Sequence, residues 1–407
     1  MANTNLTIDQ ITREGLRILV NNLGFARNTN KEYDASFAND GAKIGDTLRV
    51  RKPARYTIRT GAALNVQDHT ETKVDLQLDT QAGVDVNFTS KELTLDISDF
   101  SSRVLKPAMA TIANKIDLDG LALYDDVYSS VGTLGTTPAN ASILLNANQV
   151  MDEMATPRDG QRCLAVNPAA NSKLVDGLKG LFQSSGKLDA QYRKGMMGMD
   201  TLGYKEIYMD QNINIHITGN YGDGTAAVTT TVTVEGSTTI DLDTFASVSG
   251  NATVTKGDIF TIAGVYAVNP QNRESTGSLQ QFTVTADKTG ASSTVIAGIS
   301  VSPAFTSTGA FQTITALPVA AAVVTFYGAE NSPSPQNIAY HPDAFTLGTA
   351  DLLMPKGVDF ASRQVHEGIS MRIVRDYDIN NDAMPCRIDV LYGWKTLYPE
   401  LACRVWG

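Results

Sequence analysis

Residues 47–58 read "TLRVRKPARYTI" and residues 72–90 read "TKVDLQLDTQAGVDVNFTS". In the first, Leu48 and Val50 alternate with Arg49 and Arg51, the two-residue period of a strand with unlike faces. Pro53 has no N–H to give a ladder, so pairing should stop there or run along an edge. In the second, Val74, Leu76 and Leu78 alternate with Lys73, Asp75, Gln77 and Asp79. The connection between them, "GAALNVQDHTE", is long and rich in small residues. The pair therefore predicts an extended hairpin with one basic arm and one acidic arm. A two-stranded ribbon is marginally stable alone, so this one needs another surface to lie on.

The basic arm stands in an acidic chain. Arg49, Arg51, Lys52, Arg55 and Arg59 follow Asp46 with no intervening acid, yet the 407 residues carry a formal net charge of −10. With a pI near 4.9, phosphate would be repelled over most of the surface, which argues against a general nucleic-acid binder. The run has three readings: a solvated face, a local nucleic-acid patch, or a surface that meets an acidic partner such as another copy of the chain. Only Tyr56 is interleaved as an aromatic, which disfavours the second. The acidic companion strand and the net charge favour the third. Complementary charges of this kind set register and orientation between subunits.

Toward the N-terminus, residues 6–23 carry Leu6, Ile8, Ile11, Leu16, Ile18, Leu19 and Leu23 at helical intervals, with Gly24 as the stop. Thr7 and Gln10 have capping-box spacing. The opening stretch lacks the basic and apolar regions of a signal peptide. Residues 27–45 are polar and read as a loop. Residues 96–131 read as helical, but proline costs about 3 kcal/mol inside a helix. The break at Pro107 predicts a short helix over 98–105 and a long one over 107–128, spanning roughly 30 Å. Asp125 and Asp126 would be its solvated end.

Residues 146–220 alternate helix and strand signals. At Tyr221 the composition shifts, and to Glu330 threonine, valine, serine, alanine and glycine dominate. "AVTTTVTVEG", "TVTKGDIFTIAGVYAV", "QQFTVTAD" and "AAVVTFYGA" predict an all-β barrel or sandwich. A mixed pattern resumes at Gln336, and "GISMRIVRDYD" and "PCRIDVLYGWKTLYPELACRVWG" read as antiparallel partners. A β block bracketed by mixed sequence is the signature of an inserted domain.

Chemistry-bearing motifs are missing. Cys163, Cys386 and Cys403 are widely spaced, which reads as reduced thiols. None of the four histidines sits at metal-ligand spacing, and no P-loop or nucleophile elbow occurs. "KGMMGM" at 194–199 reads as a soft apolar loop. No run approaches the roughly 18 apolar residues of a membrane span. We therefore expect no enzyme, no cofactor, no bound metal and no membrane. Two other classes stay in view: an adhesin-like protein using the β block, and a hydrolase using His341 with Asp343.

The order of these parts resembles the major capsid (coat) proteins of tailed double-stranded DNA bacteriophages, in particular those of short-tailed Salmonella-type phages. The residues that carry the resemblance are "TLRVRKPARYTI" with "TKVDLQLDTQAGVDVNFTSKELTLDISDF", "LAVNPAANSKLVDGLKGLF", "GDIFTIAGV", "IAYHPDAFTLGTADLLMP" and "CRIDVLYGWKTLYPELACRVWG". The resemblance implies an α+β, HK97-like capsid fold with an inserted all-β, barrel-like domain. It implies an N-terminal arm over 1–45, an extended loop and peripheral-domain strands over 46–95, and a spine helix in the peripheral domain over 96–145. It further implies an axial domain over 146–220, an insertion domain over 221–330, and over 331–407 an axial return followed by C-terminal peripheral strands.

Function would then be self-assembly into an icosahedral shell around the genome, through a scaffold-assisted procapsid that expands. The implied partners are other copies in the same and neighbouring capsomers, a scaffolding protein, a portal protein, packaged DNA held non-specifically, and a decoration protein where one exists. Assembly would occur in the bacterial cytoplasm and the product would be the virion. Arg49, Arg51, Lys52, Arg55, Arg59, Asp75 and Asp79 are intersubunit candidates on the ribbon. Asp241 and Asp243 are candidates in the insertion domain. Glu14, or Asp9, is the candidate scaffolding contact.

Overall fold

The computed structural model describes residues 8–34, 47–64, 66–67, 71–89, 105–177, 198–246, 248–381 and 383–407. They divide into two compact units. The first comprises residues 1–52, 73–120 and 345–397, and the second 53–72, 121–344 and 398–407.

The first unit is a six-stranded sheet with helices on one face. Its strands run Asn30–Asp34, Phe345–Ala350, Ala383–Thr396, Ile369–Arg375 and Phe360–His366, and Thr80–Thr89 pairs with the long strand Ala383–Thr396. One sheet face carries Leu347, Ile369, Met371, Ile373, Ile388, Val390 and Tyr392. These pack against Leu16, Leu19 and Leu23 and against Met109, Ile112 and Ile116. The amphipathic stripe of residues 6–23 thus becomes the helix Ile8–Asn22. Thr7, the expected cap, lies outside the described residues. Asp117, itself buried, accepts hydrogen bonds from the backbone N–H groups of Gly24 (2.7 Å) and Ala26 (2.9 Å) just beyond that helix. Phe25 then packs at a tilt against Phe345 and Trp394, with both ring centroids at 5.5 Å.

Four expectations need correction here. The stretch over 27–45 is not all loop, because Asn30–Asp34 forms a strand parallel to Phe345–Ala350. It joins through its backbone at the sheet margin, so side-chain alternation carries no trace of it. Residues 35–45 lie outside the described residues. The acidic arm is also shorter than expected: Thr72–Gln77 pairs with Thr47–Lys52, whereas Thr80–Thr89 belongs to the main sheet. Finally, the long helix is Lys106–Leu121, followed by a tighter 3-10 turn over Ala122–Asp126. At the end of this turn the Asp125 carbonyl accepts from Thr283 Oγ1 (2.9 Å) and Arg404 Nη2 (3.3 Å). Asp125 is not a solvated end either: Lys256 Nζ lies 3.1 Å from its carboxylate, and one carboxylate oxygen is buried without a partner among the described residues. The short helix expected over 98–105 falls almost wholly outside the described residues.

The second unit combines a six-stranded mixed sheet with a closed barrel. The sheet runs Ser130–Val131, Ala402–Val405, Asn337–Tyr340, Cys163–Val166, Tyr204–Met209, Gly198–Thr201. Its middle strands are buried at every residue. The helices Ala141–Glu153 and Pro168–Gly177 cover it through Leu144, Ala147, Met151, Ala170 and Leu174. Arg162 is a buried cation here. It donates to Asn148 Oδ1 (3.1 Å), the Thr156 carbonyl (2.7 Å) and Asp152 Oδ1 (2.7 Å).

The barrel closes in the order Thr225–Val228, Ser237–Asp243, Ile296–Phe305, Ser275–Val284, Ile259–Val268, Val323–Phe326, every pairing antiparallel. Closure leaves no open edge for stray pairing. Its core is an aromatic chain: Tyr221 on Phe326 (4.6 Å), Phe326 by Phe260 (5.3 Å), Phe260 on Phe282 (5.7 Å) and Phe282 by Phe305 (4.9 Å). The chain enters and leaves through the strands Ile215–Ile217 and Pro333–Pro335, which pair antiparallel with His216 opposite Ser334. These two strands form the neck of the barrel.

Candidate functional site: an assembly surface

The ribbon is built differently in its two parts. Its paired root, in the first unit, alternates in exposure along Thr47–Lys52, as the sequence period requires. Arg49 and Arg51 point outward, whereas Lys52 Nζ donates to the Leu397 carbonyl. On the acidic strand Leu76 and Leu78 are buried. They settle on two glycines, Gly348 and Gly393, that face each other across neighbouring strands. A Cβ on Gly348 would lie 2.5 Å from Leu76 Cδ2, and one on Gly393 would collide with the Gln77 carbonyl oxygen. Only glycine lets the ribbon root lie in this notch. Asp75 lies 3.9 Å from Lys73, and Asp79 accepts from the Thr80 hydroxyl (2.9 Å).

Beyond Pro53, within the second unit, the described residues of the arm form no regular ladder. Gln67 replaces one with its side chain: its amide oxygen accepts from Thr57 N (2.7 Å), and its amide nitrogen donates to the Thr57 carbonyl (2.6 Å). Arg59 donates to the Gly61 carbonyl at the bend. Arg55 makes an ion pair with Glu400 (2.7 Å) and lies over the Phe311 ring at 5.7 Å. Arg273 Nη2 donates to the Tyr56 carbonyl (2.5 Å). Past this seat the arm shows four large apolar side chains to solvent: Tyr56 at 54%, Ile58 at 89%, Leu64 at 80% and Val66 at 77% exposure.

The other sequence candidates are dispersed. Asp241 and Asp243 lie half-buried on the barrel strand Ser237–Asp243. Asp241 Oδ1 accepts from Gly298 N at 2.7 Å, within the stretch where the pairing with Ile296–Phe305 slips register. Its carboxylate thus serves the barrel's own bulge. Glu14 is half-buried on the first helix between the exposed Arg13 and Arg17; the side chain of Asp9 lies outside the described residues. His341 is buried and holds Asp159 (3.1 Å) and Asp343 (3.5 Å). Its hydrogen bond helps keep the Asp159 carboxyl below the usual carboxylate range, against the opposing effect of desolvation. Among the described residues no group of three His, Cys, Asp or Glu could hold a metal, and no helix is long and apolar enough to cross a membrane. Gly348, Gly393, Gln67, Glu400 and Arg273 were not singled out from the sequence.

The whole arrangement matches one family description, "P22 coat protein - gene protein 5", over residues 1–405. The chain belongs to the P22 coat protein family. It is a bacteriophage coat protein with an inserted barrel, its role is structural, copies of it assemble into a shell, and its place is the virion. No curated protein matches the chain. Among solved structures it is similar to one from Mycobacterium phage Che8, with 13% identity, 94% of this chain and 90% of that one covered, and a TM-score of 0.46. It is similar to the capsid of the cyanophage P-SCSP1u (11% identity, 94% and 88% covered, TM-score 0.46). It is also similar to the capsid of Ralstonia phage GP4 (9% identity, 95% and 89% covered, TM-score 0.44).

Proposed function

We propose that this coat protein builds its shell by laying the ribbon of each copy on a neighbour, first as a scaffold-assisted procapsid and then as an expanded head. The observation that carries this reading is the blade formed by residues 53–67. It holds Tyr56, Ile58, Leu64 and Val66 in water although they are apolar, and burying such side chains is worth roughly 1.5–3 kcal/mol each. Arg49 and Arg51 give the same ribbon a basic flank suited to a net-acidic sister subunit. Lys52, Arg55, Arg59, Asp75 and Asp79 shape the ribbon from within and set where it points.

In this reading the residues act in the blocks the sequence suggests, with 1–45 as an arm and 221–330 as an insertion domain whose Asp241 and Asp243 lie near inter-capsomer contacts. Glu14 meets a basic scaffolding protein, a portal protein occupies one vertex, and double-stranded DNA is packed non-specifically against an acidic wall that does not hold it. Assembly takes place in the host cytoplasm. The test is co-expression with the scaffolding protein, with Ile58, Leu64 and Val66 each changed to Ser. Wild type should sediment as closed shells, and the triple variant should remain as small species of native circular dichroism. A triple variant that forms normal shells would overturn the arm reading. A wild type that stays monomeric with scaffold present would overturn scaffold-assisted assembly.

A further inference from the structure

At the neck of the barrel lies a buried polar cluster with no part in the ribbon. Arg404, from the strand Ala402–Val405, is fully buried. Its three hydrogen bonds go to neutral acceptors: the Gly257 carbonyl (2.6 Å), Thr283 Oγ1 (3.1 Å) and the Asp125 carbonyl (3.3 Å). Its guanidinium lies over the Tyr124 ring at 5.2 Å. Tyr124 Oη meets His216 Nδ1 at 3.2 Å, and His216 Nε2 meets Asp258 Oδ1 at 2.8 Å. Asp258 also accepts from Gly219 N (3.1 Å) and Thr255 N (2.8 Å). Gly257 is held open to the cluster, since a Cβ there would lie 2.8 Å from Asp125 Oδ1.

The partners come from two sides. Gly257, Asp258 and Thr283 belong to the barrel, Tyr124 and Asp125 to the 3-10 turn, and His216 to the neck. Desolvation pushes the Arg404 guanidinium down to about 10, opposed by Asp125, Tyr124 and Asp258, and its Nε has no partner among the described residues. An ion so poorly repaid is weak evidence of net stability, since whole buried ion networks can often be replaced by apolar groups at no cost. What such an ion supplies is directional: it accepts one arrangement of carbonyls and rejects the others.

We propose that Arg404 is a registry pin that fixes the orientation in which the inserted barrel docks on its own α/β body, rather than a source of stability. The pin joins barrel and body through hydrogen bonds that an apolar side chain cannot make, so its removal should free the neck while leaving each part folded.

The test is hydrogen exchange and thermal unfolding of the full chain carrying Arg404→Met, and separately Thr283→Val. The second keeps Arg404 but deletes the hydroxyl that accepts from Nη2 and donates to the Asp125 carbonyl. Amides in 215–218 and 332–336 should exchange about tenfold faster in the Met variant, with those in 259–268 and 275–284 unchanged. Its unfolding midpoint should be held or raised, and the Val variant should show the same pattern more weakly. Unchanged neck exchange would overturn the proposal. So would a uniform loss of protection with a lowered midpoint, or failure of both variants to fold, because the cluster would then be an ordinary stability element.

Discussion

Gly348 and Gly393 face each other across the strands Phe345–Ala350 and Ala383–Thr396; the backbone of Gln77 and Leu78 rests on Gly393, and the side chains of Leu76 and Leu78 rest on Gly348. The ribbon root is therefore seated by the absence of two side chains. A methyl at Gly393 meets a carbonyl oxygen that no rotamer can move. Gly393→Ala should destabilise the first unit by roughly 1–3 kcal/mol in urea unfolding, the usual cost of overpacking. Gly348→Ala should cost less, because its nearest neighbours are the flexible ends of Leu76 and Leu78. Equal costs would show that the notch yields at both walls.

Asp117 holds the turn after the first helix by two backbone N–H groups. Asp117→Ala leaves one buried and one half-buried donor without that acceptor, a loss of about 2–4 kcal/mol. Asp117→Asn keeps one acceptor oxygen and should recover part of it. Chemical denaturation of the two variants measures the difference.

The ion pair between Arg55 and Glu400 separates two roles within the basic run. Both side chains are partly exposed, at 34% and 16%, so the pair should contribute about 0.5–1 kcal/mol. Arg55→Glu should loosen residues 53–67 in hydrogen exchange, and the reversed pair, Arg55→Glu with Glu400→Arg, should restore them. Arg49→Glu with Arg51→Glu should leave the isolated subunit unchanged in circular dichroism and impair shell formation.

Asp152 makes stability depend on pH. The hydrogen bond from Arg158 leads in holding its carboxyl below the usual range; burial opposes it and Arg162 assists. A carboxylate depressed in the folded state stabilises at neutral pH, and that contribution is lost as pH falls through its folded value. Asp152→Asn should thus lower the melting temperature at pH 7. The gap from wild type should shrink below about pH 4, where the unfolded carboxyl is also protonated. A gap that widens on acidification would reverse the assignment.

Local periodicity made much of this fold legible. The stripe of Leu16, Leu19 and Leu23 marked a helix, and the β-branched runs between Tyr221 and Glu330 marked an all-β block. Pro53 stopped a strand at Lys52. What escaped was long-range and sterically small. Asn30–Asp34 joins its sheet by backbone alone, so no alternation betrays it. Glu400 lies 345 residues from Arg55, and nothing near either residue announces the other. Gly393 stood inside a quoted motif, "LYGWK", but its purpose appears only when Gln77 is seen lying on it. The bond from Gly298 N to Asp241 at the barrel's register shift also has no signature in composition.

The paired neck strands Ile215–Ile217 and Pro333–Pro335 bring the two junctions of the barrel side by side. A foreign module with adjacent ends could be grafted there without stretching the host chain. Its recipient would still present Arg404 at the junction, so a compatible graft must offer carbonyl or hydroxyl oxygens to its guanidinium. That requirement is a chemical filter on which domains this lineage of shells could have exchanged.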